Sequence, residues 1–429
     1  MKEKLLLGFL FLFILGFYLG CSKDDNPTVP NESSEIGQLI INPSSILANL
    51  PTQVTVRLNV NAGVTLIDST AKLVKVDASN TVIQELGLLL DNGELSNGDE
   101  ILGDNVYSAL ITLTQSAGEI KLRVIANVMR NNVTTTVNSN VLSFTVYPDF
   151  TSQELKQVLN TQDSAASKFT TYLGGNVNNI EPAIAQLKTW LQTQPGVNAV
   201  ETEGTSSMEI KYSSGVYGNL IFAQEDINGT TIITRGGSGL QDDRRKSSRT
   251  IPVKSQTRGT IDENKIPSRI QKLSDLDPKI IGNRNVMIYA PFEAAFTPWN
   301  EGQKVVDILN SSDFKFQITY LKNQDATISS IYNLTDYGYV VLATHGSGGK
   351  VFLSGEQVDT TLAIYTSSYK TMLKAGKISI SKNLVVKKNG AVSVKADVYG
   401  IRFPFISDLA GKFPNSVILN NSCESTKSA

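Results

Sequence analysis

Two short apolar runs near the C-terminal end constrain the fold of this chain most, because each is followed by a chemically reactive side chain. The first run, Tyr339–Ala343, continues into Thr344 and His345, the only histidine among 429 residues. The second run, Val417–Leu419, leads to Cys423. Such runs are typical of buried parallel strands, and functional groups of open α/β sheets lie where these strands end. We therefore predict that two strands of one sheet present an imidazole and a thiol side by side.

The residues around these runs alternate between strand-like and helix-like patterns. Strands are predicted at Val286–Ala290 and Phe316–Leu321, and helices at Gly302–Leu309 and Thr327–Leu334. An insertion with short strands of its own, from about 351 to 411, separates the two runs. Alternating strands and helices predict an α/β domain with a parallel sheet over residues 283–429.

Residues 37–148 follow a different pattern, in which apolar and polar residues alternate. The alternation is clearest in three sets of positions: Val54, Val56, Leu58 and Val60; Ile120, Leu122 and Val124; and Leu142, Phe144 and Val146. Short alternating strands separated by Asn, Gly and Asp turns predict an all-β, immunoglobulin-like sandwich.

An acidic, glycine-rich loop lies inside this predicted sandwich, between Asp91 and Tyr107. Asp91, Asp99 and Asp104 recur there among glycines, in a pattern that resembles a segment of immunoglobulin-like modules of bacterial surface proteins. Carboxylates on a loop that can wrap around an ion suit calcium, which prefers hard oxygen ligands. Solvated turns are the alternative. No other cofactor is expected.

Residues 149–224 are predicted to form a small α+β segment, which is either a spacer or a prodomain. Thr151 has the position of a helix-capping residue, and Ile180–Thr193 has the periodicity of an amphipathic helix that Pro195 and Gly196 end. Short strand-like runs follow.

Residues 225–282 form a polar linker, which is an easy place for proteolysis. Its basic residues are Arg244, Arg245, Lys246, Arg249 and Arg258. A solvated linker explains this cluster better than a nucleic-acid site, since the net charge of the chain is only -1. No nucleic-acid partner is expected.

The N-terminal residues 1–21 have the features of an export signal. Lys2 and Lys4 precede an apolar run that is short for a membrane-spanning helix, and Gly20–Cys21 follows. This end resembles a bacterial lipoprotein signal with a lipobox, which implies acylation of Cys21. Residues 22–36, with Ser22–Asp25 resembling surface-export signals of Bacteroidetes-type lipoproteins, form a tether. The resemblance implies an outer-membrane, lipid-anchored protein at the cell surface of a Gram-negative bacterium.

A lipidated Cys21 leaves Cys423 without a disulfide partner, and an unpaired thiol in an exported protein indicates reactivity. A thiolate nucleophile needs a nearby base and donors for the oxyanion. His345 supplies the base, and the main-chain N–H groups of Gly346 and Cys423 supply the donors. The alternative is that His345 is an ordinary polar residue and Cys423 a buried apolar one.

Both motifs resemble those of the caspase-like cysteine peptidases of clan CD, a group that includes caspases, legumain, clostripain, gingipains and CHAT domains. Ala343–Gly346 is similar to their histidine motif, and Leu419–Ser425 is similar to their cysteine motif. The resemblance covers about one third of the chain. It implies that Cys423 is the nucleophile, and that His345 polarises the scissile carbonyl and protonates the leaving amine.

In that family, a helix and further strands follow the cysteine strand. This sequence ends six residues after Cys423, so we expect the caspase-like domain of residues 283–429 to be incomplete.

Two functions follow from these patterns. The first is a surface lipoprotein with a caspase-like cysteine endopeptidase, which acts on protein or peptide substrates and is itself processed in the arginine-containing linker if it prefers basic residues. The second is a non-catalytic surface protein whose sandwich binds a glycan, a protein or calcium, with an inactive peptidase-like domain. No Gly-x-Ser-x-Gly elbow, metal-ligand cluster or phosphate loop supports another class of hydrolase.

Overall fold

The computed structural model shows a mixed α/β protein with many sheets and few helices. The ranges that the structure describes are 36–130, 132–225, 231–233, 281–296, 301–312, 314–347, 350–362, 366–409 and 413–420. The chain divides into two compact units. The first comprises residues 1–43, 53–113 and 119–144, and the second comprises residues 44–52, 114–118 and 145–429.

The first unit is built from strands, and its described residues contain no α-helix. The strands of residues 38–147 are β1 (Gln38–Asn42), β2 (Ser45–Leu47), β3 (Thr52–Asn59), β4 (Lys72–Val76), β5 (Val82–Leu88), β6 (Val106–Leu113), β7 (Gly118–Arg130), β8 (Val133–Asn138) and β9 (Leu142–Tyr147), of which β2 and the end of β9 fall in the ranges of the second unit. One sheet has the order β1-β3-β6, and the other has the order β2-β9-β7-β4-β5 with β8 beside β7.

The alternating pattern of β3 shows why this unit is all-β. Val54, Val56 and Leu58 are buried, whereas the residues between them are not. Successive side chains of a strand point to opposite faces, so this alternation buries one face of the sheet. The strands predicted around these residues, around Leu122 and around Phe144 are confirmed.

The second unit contains the five α-helices of the described residues and the remaining strands. The helices are α1 (Ser152–Leu173), α2 (Ile180–Gln192), α3 (Glu301–Asn310), α4 (Ser367–Lys374) and α5 (Phe403–Ser407). The strands are β10 (Val197–Glu203), β11 (Ser207–Tyr212), β12 (Tyr217–Glu225), β13 (Thr231–Ile233), β14 (Asn285–Ala290), β15 (Gln317–Lys322), β16 (Tyr339–Leu342), β17 (Gly346–Ser347), β18 (Val351–Gln357), β19 (Ile378–Val386), β20 (Val392–Val394), β21 (Val398–Arg402) and β22 (Val417–Asn420).

Helix α1 begins as its sequence predicts. The side chain of Thr151 accepts a hydrogen bond from the main-chain N–H of Glu154, and the carboxylate of Glu154 accepts one from the N–H of Thr151. This reciprocal capping box satisfies main-chain donors that have no partner inside the helix. The amphipathic helix predicted from Ile180 is also confirmed as α2.

Four parallel strands form one sheet in the order β15-β14-β16-β22. The predicted strands of the α/β pattern and helix α3 are confirmed. The predicted helix Thr327–Leu334 is wrong, because only two short 3₁₀ turns lie there, Ser329–Ile331 and Leu334–Asp336. The hydroxyl of Thr327 interacts with the hydroxyls of Ser329 and Ser330 and accepts the N–H of Ser330. Such local hydrogen bonds compete with a continuous helix.

A second, nine-stranded sheet combines two distant parts of the chain. Its order is β10-β11-β12-β19-β21-β18-β17, with β13 beside β12 and β20 beside β19. Strands β12 and β19 are parallel, with Gly218 opposite Ile380 and Gln224 opposite Val386. The segment of residues 149–224, which is predicted to be a spacer or a prodomain, thus shares one sheet with the insertion that follows His345.

None of the helices within the described ranges is long and apolar enough to cross a bilayer.

Candidate active site

The candidate site lies at the carboxyl ends of three neighbouring parallel strands, β14, β16 and β22. Leu342 of β16 lies opposite Tyr289 of β14 and opposite Asn420 of β22. The prediction that both apolar runs are strands of one parallel sheet is therefore confirmed. His345 is the third residue after Leu342, and Cys423 is the third residue after Asn420. Cys423 itself lies outside the described residues.

Hydrogen bonds to β18 hold the residues around His345. The main-chain oxygen of His345 accepts the N–H of Leu353 at 2.8 Å. The hydroxyl of Thr344 donates to the main-chain oxygen of Leu353 at 2.7 Å. Gly346 then lies opposite Phe352 in the antiparallel pair of β17 and β18. The end of a strand in the four-stranded sheet is thus tied to the nine-stranded sheet.

The side chain of His345 is buried, with 3% of its surface exposed. Burial lowers the pKa of the imidazole from 6.5 to about 4, because the charged form loses its hydration. The ring of Phe292 lies against it, with 4.7 Å between the ring centroids. At physiological pH the imidazole is therefore neutral, which is the form that accepts a proton.

Phe292 and Glu293 are residues of this edge that the apolar runs around His345 and Cys423 do not reveal. They follow β14, the strand beside β16, after the single residue Pro291. Phe292 also packs against an apolar cluster of the nine-stranded sheet, which consists of Ile221, Ala223, Leu353, Val385 and Val398. Their position just after a predicted strand is the signal that finds them.

Glu293 has a buried carboxylate that lies beside the N-terminal end of helix α3. Its Oε1 atom accepts the main-chain N–H of Gln303 at 3.3 Å, where the positive end of the helix dipole favours a negative charge. A Cβ at Gly302 would lie 2.8 Å from the hydroxyl of Tyr320 and 3.1 Å from Oε2 of Glu293. Burial, together with Glu293, raises the pKa of Tyr320 above its usual value. The missing side chain of Gly302 therefore lets these two polar groups approach the helix.

An open cleft lies beside the β17–β18 hairpin. Its walls come from both distant parts of the nine-stranded sheet: Glu201, Thr202, Glu203, Ser207, Glu209, Asn219, Lys350 and Val351. Lys350 forms an ion pair with Glu201 at 2.6 Å. Arg402 forms another with Glu209 at 3.0 Å. The first pair links the residue before β18 to β10, so a strand from the spacer segment borders the surface next to the histidine hairpin.

The three predicted calcium ligands lie together in the first unit. One carboxylate oxygen each from Asp91, Asp99 and Asp104 lies within 4.8 Å of the other two. Asp91 and Asp99 also accept hydrogen bonds from main-chain N–H groups of the loop. The carboxylates are thus oriented by the loop itself, which is compatible with both solvated turns and a metal site.

Two other predicted features lie outside the described residues. They are the lipidation site Cys21 with the tether that follows it, and the basic cluster of Arg244, Arg245, Lys246, Arg249 and Arg258.

A search against protein-family models finds no match to this chain, and a search of curated proteins finds no significantly similar sequence. The function is therefore inferred from the residues and the geometry of the chain itself.

Proposed function

We propose that the second unit is a caspase-like cysteine endopeptidase with Cys423 as its nucleophile and His345 as its base and acid. The observation that carries this proposal is the parallel register of β16 and β22, which ends with Leu342 opposite Asn420. Residues that follow two adjacent parallel strands emerge at the same edge of the sheet. A histidine and a cysteine at equal distances beyond that register form a suitable nucleophile and base pair.

The reaction proceeds through a thioester. The thiol of Cys423 gives its proton to the imidazole of His345, and the sulfur bonds to the carbonyl carbon of the scissile peptide. The main-chain N–H groups of Gly346 and Cys423 hold the negative oxygen. The imidazolium returns the proton to the leaving nitrogen as the C–N bond breaks. Water then hydrolyses the thioester and restores the thiol.

Burial of the imidazole affects the first of these steps in two ways. A pKa of about 4 keeps His345 neutral at pH 7, so it can take up the thiol proton. The same low pKa makes it a weaker base than a solvated imidazole, so the proton moves only as the sulfur bonds to the carbonyl carbon. Phe292 keeps water from one side of the ring.

The test is labelling of the protein that lacks residues 1–21 with acyloxymethyl ketone probes that carry Arg, Lys, Asn or Asp at P1. We expect labelling by at least one probe, and no labelling of Cys423→Ala or His345→Ala. Cys423 is then the only thiol of the chain, so iodoacetamide provides the control. It should still alkylate His345→Ala, because it needs a reachable thiol but not an activated one. A folded wild-type protein that no probe labels would refute the proposal.

The first unit is proposed to be an immunoglobulin-like module that is anchored to the outer membrane through a lipid on Cys21. The two sheets of the unit and the alternating strands support the module, and the lipobox-like residues before Cys21 support the anchor. Metabolic labelling with an alkyne fatty acid should modify the full chain but not Cys21→Ala. Equal labelling of both would exclude this anchor, and protease accessibility on intact cells tests the surface location.

Calcium binding by the first unit is a second candidate function, favoured by the convergence of Asp91, Asp99 and Asp104. Three carboxylates supply only part of the six to eight oxygen ligands that calcium takes, so main-chain oxygens or water would complete the set. With a dissociation constant of about 0.1 mM, 1 mM calcium would stabilise the unit by about 1.4 kcal/mol.

The test of calcium binding uses Asp104→Asn, which removes a charge but keeps the side-chain oxygen that accepts the N–H of Val106. Calcium should raise the unfolding temperature of the wild type and of Asp68→Asn, an exposed carboxylate outside the cluster. It should not raise that of Asp104→Asn. An equal shift in all three proteins would rule out this site.

A further inference from the structure

The nine-stranded sheet is completed by two parts of the chain that the linker separates. The first part contributes β10 to β12, to which β13 from the beginning of the predicted linker is added, and the second contributes β17 to β21. They meet at the parallel pair of β12 and β19, whose register has seven paired positions from Gly218↔Ile380 to Gln224↔Val386. Without this pair, both central strands would present unpaired main-chain groups and apolar side chains to water.

One hydrophobic core also includes both parts. One buried cluster holds residues of helices α1 and α2 together with residues of β19. It includes Leu155, Phe169 and Leu187 from the helices and Ile380 and Leu384 from β19. Apolar burial of this kind resembles a domain core rather than the polar interface between separable domains. Neither part can therefore bury its apolar face without the other.

Polar side chains connect the same two parts inside the protein. Lys374 is buried and forms an ion pair with Glu154 at 2.7 Å. The amide of Gln162 donates to the main-chain oxygen of Ile380 at 2.8 Å. The amide of Asn219, only 2% exposed, donates to the hydroxyl of Ser379 at 2.7 Å. Separation would leave these donors and the Lys374 cation without their partners, which is unfavourable unless water replaces them.

We propose that residues 149–225 are a permanent subunit-like part of the second unit and not a removable prodomain. Proteolytic cutting between residues 234 and 280 then yields a two-chain protein, in which each piece is the binding partner of the other. Glu201 and Glu209 stay in place beside the β17–β18 hairpin, so cutting does not open the candidate site by release of this segment. This inference concerns association and holds whether or not the proposed peptidase activity exists.

The experiment places the recognition sequence of a site-specific protease between Ser247 and Ser248 of the full chain. The protein is cut under native conditions and analysed by size-exclusion chromatography with mass detection. We expect one species that contains both pieces at the mass of the uncut chain, and two species only after urea is added. Separation of the pieces without denaturant, from a protein whose uncut form is folded by circular dichroism, would overturn the proposal.

A matched pair of variants tests the interface itself. Glu154→Gln keeps a capping-box residue at its position but leaves Lys374 without a carboxylate. Glu181→Gln changes an exposed glutamate of α2. In the cut protein, the first variant should separate at a lower urea concentration than the second. If both cut variants separate at the same urea concentration, the buried ion pair does not hold the pieces together.

Two further samples separate this inference from the proposed function. The two pieces of a cut His345→Ala protein should remain associated, because their association does not depend on catalysis. The cut wild type should react with the peptidase probes as the uncut wild type does. If neither form reacts but the pieces stay together, the proposed function fails and the permanent association stands.

Discussion

The two sheets of the second unit bury very different residues. In the four-stranded sheet, β14 is buried from Val286 to Ala290 with apolar side chains and Tyr289. In the nine-stranded sheet, β19 is buried over all nine of its residues, of which Ser379, Ser381, Lys382 and Asn383 are polar or charged.

Three polar side chains of β19, those of Ser379, Ser381 and Lys382, have partners from distant parts of the chain, whereas the buried Oδ1 atom of Asn383 has none among the described residues. Ser379 accepts from Asn219 of β12, and Lys382 pairs with Asp163 of α1 and with Asp397. A buried polar group is tolerated when it is hydrogen-bonded, and a buried charge when it is paired. An apolar pattern therefore identifies a strand such as β14, whose neighbours are also apolar, whereas β19 is a central strand only because distant residues pair with its polar groups.

The largest expected effect tests the core that both parts of the nine-stranded sheet share. Phe222 is fully buried in β12, with its ring centroid 4.8 Å from that of Phe169. Phe222→Ala should lower the free energy of unfolding by about 3–5 kcal/mol, since it removes apolar contacts and leaves a cavity. Urea unfolding measures this change. Phe403→Ala, at a position where 68% of the surface is exposed, is the control and should change the value by less than about 1 kcal/mol. Similar losses in both variants would contradict a core centred on β12 and β19.

A smaller change in the free energy of unfolding is expected with pH, because of His345 at the junction of the two sheets. The unfolded chain takes up a proton on its histidine below pH 6.5, whereas the folded protein takes it up only near pH 4. Protonation therefore favours the unfolded state, and the free energy of unfolding decreases as the pH falls through this range. The decrease amounts to roughly 3 kcal/mol in total and about 2 kcal/mol between pH 7 and pH 5.

The measurement is the difference in unfolding free energy between the wild type and His345→Gln, by urea denaturation at both pH values. Carboxylates contribute to both proteins and cancel in the difference. The wild type should lose about 2 kcal/mol more than the variant from pH 7 to pH 5. A constant difference would mean that the imidazole is not buried in the neutral form.

The smallest effect concerns the edge of the four-stranded sheet. Val417, Ile418 and Leu419 of β22 are each 45–47% exposed, on a strand that ends the sheet order among the strands that the structure describes. An uncharged apolar edge favours association with other strands. Leu419→Lys should reduce light scattering at high protein concentration and change the unfolding free energy by less than about 1 kcal/mol. Ile308→Lys, at an exposed position of helix α3, should leave scattering unchanged. An equal reduction would show that added charge, and not the edge, is responsible.

The candidate site was predictable to the extent that strand ends are visible in the sequence. The apolar run before His345 and the run before Cys423 indicate two strands, and the same rule applied to Val286–Ala290 leads to Phe292 and Glu293. Lys350 and Glu201, in contrast, lie 149 residues apart, and no local pattern relates them. Ion pairs between distant residues depend on how the sheets assemble.

The type of most elements follows from the local sequence, because strand alternation, helix capping and apolar runs are local consequences of backbone geometry. The local sequence also indicated that His345 follows a buried strand. The pairing of residues 218–224 of β12 with residues 380–386 of β19, and the position of Phe292 against the imidazole, follow only from the tertiary fold. Strand partners are selected by the burial of a whole sheet face and by the pairing of polar groups such as Asn219 and Ser379. These requirements are met only when distant segments meet.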